Sequence, residues 1–175
     1  MILFFLIGFI FVVLILFFRK TLFHFVGEKN RLVRMLKSAK WFQHVWLAGL
    51  FVFLMNAILF GLTFFVLFIL MRFDIPFLYL FVMMGAVVVS ILFWMIVNRS
   101  WMDSKKSQLK MAVIGSSFYL LLTLTFLYIY VTIEPFYPGE DMFMRALGLS
   151  LAMMVTFVAW ISCFVIVGLT TKTQV

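Results

Sequence analysis

Few side chains in this sequence are equipped for chemistry. It holds two histidines, one cysteine and six acidic residues against 14 lysines and arginines. His24 and His44 could ligate a haem iron only if they projected from facing helices. With Glu28 they could also act on a lipid at the membrane surface, but their spacing composes no specific catalytic arrangement. Cys163 stands alone, which excludes an internal disulfide and any multi-cysteine zinc or iron–sulfur site. No phosphate-binding loop, zinc-protease helix, nucleophile elbow or paired-cysteine motif is present. The expectation is a protein that is not an enzyme, with no catalytic residue, no metal ligands and no cofactor.

Uncharged polar residues within apolar runs are the next candidates. Asn56 is the most polar side chain near the middle of such a run, and in hydrocarbon its amide must find a partner. The expected partner is a hydroxyl on another helix, such as Thr123, Thr125 or Ser90. Alternatively Asn56, Ser116, Thr123 and Thr125 line a hydrophilic path. Such hydroxyls can also bond back to their own helix carbonyls and then need no ligand. No charged side chain is expected deep in a span, which argues against a proton-coupled transporter acting alone.

Two further patterns concern contact rather than reaction. Gly148, Ala152, Thr156, Ala159 and Cys163 recur at helical spacing and form one stripe of small residues. Small residues let backbones approach closely, so the stripe predicts a helix-packing face or a partner interface. Shorter versions pair Ala57 with Gly61, Ala86 with Ser90 and Ala112 with Ser116. The other pattern is basic. Over residues 29–44, Leu32, Met35, Leu36, Ala39, Phe42 and Trp46 share one helical face, and Arg31, Arg34, Lys37, Ser38 and His44 the other. A basic amphipathic helix of this kind lies in the membrane interface. Lys29, Arg31, Arg34, Lys37 and Lys40 are the expected contacts to anionic lipid headgroups. This helix is expected to run directly into the next span.

The elements that must position these residues follow from composition. The chain has 175 residues, of which 67% are hydrophobic and 11% charged, and its mean hydropathy is +1.24. Soluble domains carry roughly 25% charged residues, so a soluble fold and intrinsic disorder are both excluded. A spanning helix needs about 20 apolar residues. Five apolar runs meet or approach that length, at residues 1–18, 45–71, 77–97, 111–133 and 142–169. The first run precedes Arg19 and Lys20, the reverse of a cleavable signal peptide, so it is expected to remain as a span. Pro76 breaks the chain between the second and third runs.

Orientation follows from the basic loops. Lysines and arginines crowd residues 19–40 and 99–110, while the segment from Glu134 to Asp141 is acidic. The positive-inside bias therefore puts the N-terminus outside and the C-terminus inside. Trp41, Trp46, Trp94 and Trp101 should form an inner aromatic belt, and Tyr79, Tyr128, Tyr130 and Tyr137 an outer one. Arg145 should pair with Asp141 one turn away. Glu134, Glu140, Asp141 and Asp74 could make an external rim that attracts cations. The sequon at Asn98 falls on the inner side and is read as chance.

The expected fold class is an all-α integral membrane protein of about five transmembrane helices, forming a single domain over 1–175. The expected function is that of an accessory, assembly or scaffold component of a plasma-membrane complex. Its partners would be the anionic inner leaflet and other membrane proteins or copies of itself, not nucleic acid. The alternatives are a protomer of an oligomeric channel or small-solute transporter, and an interfacial lipid-modifying enzyme.

Overall fold

The computed structural model describes residues 31–73, 76–135 and 142–169. The expected first span, Lys29, His24, Glu28, Asp74, Tyr137, Glu140 and Asp141 lie outside the described residues. Within them the chain is helical, without strands. A short helix α1, Arg31–Ser38, leads into a single 3₁₀ turn, Lys40–Gln43. Four long helices follow: α2, Val45–Leu70; α3, Pro76–Ser100; α4, Lys105–Val131; and α5, Phe143–Phe164. The last continues as a π-helical turn, Val165–Leu169. All four, α5 with its π turn included, are long and apolar enough to cross a membrane. At 1.5 Å per residue, 26 residues reach about 39 Å, beyond the ~30 Å of hydrocarbon.

Local chemistry sets several of these ends. Pro76 does not merely stop α2. It occupies the first position of α3, where its missing N–H costs nothing. Ser104 caps α4, its hydroxyl accepting from the Ser107 N–H at 3.4 Å.

The helix expected to run unbroken through residues 29–44 is interrupted. Ala39 and His44 both have extended backbone, and the 3₁₀ turn lies between them. The break lets Phe42 leave the expected face and enter the core, edge-on to Trp41, Phe51 and Trp101. Trp46, assigned by period to that same face, is instead 70% exposed. Gln43 holds the turn in place. Its amide donates to the Ser100 carbonyl at 3.4 Å and accepts from the Met102 N–H at 3.3 Å.

Helix α4 is the central element, packed along α5 on one side and α2 on the other, while α3 leans on α2 and α1. The α2–α4 crossing is close because glycines face it. A methyl group on Gly49 would lie 2.8 Å from the Ile114 Cβ, and one on Gly115 would lie 2.7 Å from the Val52 Cβ. Gly168 of the π turn meets Ala112 of α4 in the same way.

Burial divides the bundle sharply. Every buried side chain of the four long helices lies between their α1-proximal ends, here termed the basic end, and the level of Asn56, Ile91, Tyr119 and Thr156. Beyond that level, no described residue of any helix is buried. The far half of α3 is covered least: Leu80, Phe81, Met83, Val87 and Val89 are all exposed.

Candidate functional site

The buried polar side chains form three tiers between the helices. In the first, the Asn56 amide nitrogen donates to the Gly115 carbonyl at 3.1 Å and to Cys163 Sγ at 3.6 Å. Its oxygen accepts the Trp94 indole N–H at 2.9 Å. One amide thus joins α2 to α3, α4 and α5. Trp94 also meets the Tyr119 ring edge-on at 6.0 Å. The expected hydroxyl partners of Asn56 are not the ones it uses, because a backbone carbonyl, an indole and a thiol lie nearer on its face.

The second tier lies toward the far end. Thr123 donates to its own Tyr119 carbonyl at 2.8 Å and lies 2.9 Å from the Thr156 hydroxyl, joining α4 to α5. Ser116 is buried and bonds to its own Val113 carbonyl, and exposed Thr125 bonds to Leu121. These hydroxyls therefore divide between helix backbone and one interhelical pair.

The third tier closes the basic end. A helix leaves its last carbonyls without intrahelical donors. Here the Asn98 amide donates to Ile166 and Val167 carbonyls at 2.9 and 3.0 Å, and Gln108 donates to Val167 at 2.7 Å. Two side-chain amides from α3 and α4 thereby hold the π turn. Asn98 is fully buried, so its sequon is closed to modification in this fold. Trp101 is also fully buried, and its indole N–H meets no acceptor among the described residues.

The stripe on α5 runs into this interior. Thr156 and Cys163 are buried, Ala159 packs on the core and Ala152 is half-buried, while a methyl group on Gly148 would meet open space. Gly61 is similarly open. Of the expected inner aromatic belt, Trp41 and Trp46 are exposed, but Trp94 and Trp101 are core residues. Each belongs to the interior for a local reason: Trp94 has Asn56 as its acceptor, and Trp101 stacks edge-on with Phe42. Tyr128 and Tyr130 are exposed. Arg145 contacts the Glu134 carbonyl at 3.4 Å.

Basic side chains surround the closed end. Arg31, Arg34 and Lys40 are exposed and Lys37 half-buried, with Lys105, Lys106 and Lys110 exposed at the start of α4. Asp103 stands among them. Hydrogen bonds from the Ser107 side chain and the Ser104 backbone hold its carboxyl below the usual aspartate range. His44 is exposed beside α2, and among the described residues no three His, Cys, Asp or Glu come together as a metal site.

Asn98, Gln108 and Trp94 carry the interior but were not singled out by sequence as buried partners. Their signal is weak: each lies near a span end, where polar and indole groups usually face headgroups. Comparison with protein-family profiles, with curated protein sequences and with solved structures returns no match to this chain.

Proposed function

We propose that this protein is a non-enzymatic, multi-pass component of a membrane complex that assembles or scaffolds other membrane segments. One observation supports the reading: the division of the bundle at the level of Asn56. On one side, polar tiers and close glycine contacts tie the helices to one another. On the other, long apolar helices present unburied faces, with Gly61, Gly85 and Gly148 open to approach by another backbone. Small open residues on an apolar helix are where membrane helices meet. The sequence adds a fifth span at residues 1–18, the basic end on the inner side and a plasma-membrane location.

The test is the mass of the intact complex, purified from its native membrane, combined with a photo-crosslinking residue at position 85 or at position 52. The expected result is a stoichiometric, different membrane protein, captured from position 85 and not from position 52. A homo-oligomer that passes solute across liposomes would overturn the reading in favour of the channel alternative. For orientation, Pro138→Cys and Ser104→Cys should label from outside and inside respectively, against a background in which Cys163 is buried. The reverse pattern would overturn it.

A further inference from the structure

We propose that the first apolar run of the sequence, residues 1–18, packs as a helix along the far half of α3 and covers the face that carries Leu80, Met84 and Val87. The inference rests on the fifth span proposed above and gives that span a place in the bundle.

One face of α3 changes character along its length. Leu80, Met84, Val87, Ile91, Met95 and Asn98 recur at spacings of three and four, so they share that face. Their exposures fall in order from 56% through 42% and 37% to 6%, 1% and 0%. Near the basic end the face is core. Asn98 reaches the π turn of α5, and Trp94, next to Met95, reaches Asn56 of α2. Toward the far end the same face loses these neighbours. Helix α4 packs along two long helices, whereas α3 leans on α2. The far half of α3 therefore has room for another long neighbour.

The route of the chain selects the occupant. Residues 1–18 hold no charged side chain. A helix of that length rises about 27 Å, close to the ~30 Å of hydrocarbon. Arg19 and Lys20 follow the run, and Lys29 stands just before α1, so the link between them belongs at the headgroups. The link leads to an anchored element. Helix α1 lies against α3, with Val33 fully buried and Leu36 packed on the core. Only residues 19–30 separate the run from that anchor, a reach of about 40 Å at full extension. Elements joined by short links are usually neighbours in space. The run therefore crosses beside the helix on which α1 rests, where an uncovered apolar face lies at the depth it must traverse. Gly85 is turned about 100° or more from Leu80, Met84 and Val87, so the face proposed for a different membrane protein stays open.

The experiment places a photo-crosslinking residue at position 84 or 87 of the full chain, with exposed position 54 of α2 as control. Nitrogen-15-labelled and unlabelled chains are mixed in phosphatidylcholine liposomes, and the crosslinked peptides are identified by mass. Positions 84 and 87 should join residues 1–18 of the same chain, in isotopically unmixed pairs, while position 54 should give lipid adducts. Isotopically mixed pairs would assign the face to a second copy, and lipid adducts alone from 84 and 87 would leave it to lipid. Either result overturns the proposal. The native chain gives a variant-free measure. A lipid-borne carbene source should label Leu80, Met84 and Val87 severalfold less than the exposed Ile58, Leu62 and Phe65 of α2, and equal labelling overturns the docking. The same reagent reports the span itself. Labelling of residues 1–18 without their crosslinks would overturn the docking alone, and no labelling there would overturn span and docking together. Capture from position 85 tests the scaffold reading separately.

Discussion

Asn56 engages three neighbours through one amide, so its removal leaves the Trp94 N–H and the Gly115 carbonyl without that partner. In membrane proteins such interhelical bonds average about 0.6 kcal/mol and reach about 1.7. A double-mutant cycle of Asn56→Leu and Trp94→Phe, read by unfolding in bicelles, should give a coupling energy within that span. Additive effects would mean the bond contributes nothing to stability. The glycines divide by the same local reasoning. Gly115→Ala should destabilise by about 1–3 kcal/mol through overpacking against Val52, and Val52→Ala should recover part of the loss. Gly61→Ala, with nothing within 4 Å, should stay within about 0.5 kcal/mol. Sequence marked Asn56 as needing a partner because a buried amide always does. It could not say which, since a helical wheel gives the face of a residue and not what stands opposite. For the same reason it favoured Gly148 and passed over Gly49 and Gly115.

At the scale of elements, the long apolar runs were legible because length and hydropathy alone decide what can cross hydrocarbon. Helix ends were less so. The α4 helix begins at Lys105, well before its apolar run, because Ser104 supplies a cap. Ser104→Ala should cost about 0.5–2 kcal/mol. The lowered Asp103 pKa adds a pH dependence whose sign is fixed. Its stabilisation is present above the ordinary aspartate pKa and is lost as pH falls through the lower folded value. Unfolding of the native chain and of Ser107→Ala, compared across acidic pH, should show a smaller acid loss in the variant. The interruption at Ala39 was illegible for another reason: a regular period of 100° cannot register a 3₁₀ turn. The π turn depends on two remote amides. Asn98→Leu with Gln108→Leu would remove the side-chain donors to Ile166 and Val167, at about 1–3 kcal/mol for each buried group stranded. Hydrogen exchange should rise through 165–169 and stay slow in residues 48–56 of α2. An equal rise in both would mean the turn has no separate anchorage.

For the molecule as a whole, the level of Asn56 separates two regimes of packing. Spin labels on the far ends of α2 and α4, at positions 69 and 129, should give a broader distance distribution in bilayers than labels at positions 47 and 113 near the basic end. Equal widths would contradict the division. Its mechanical meaning is that of a tuning fork. The handle is cross-braced by Asn56, Asn98 and Gln108, whereas the tines have, among the described residues, no buried side chain to hold them, so the stiffness of this fold is concentrated at one end.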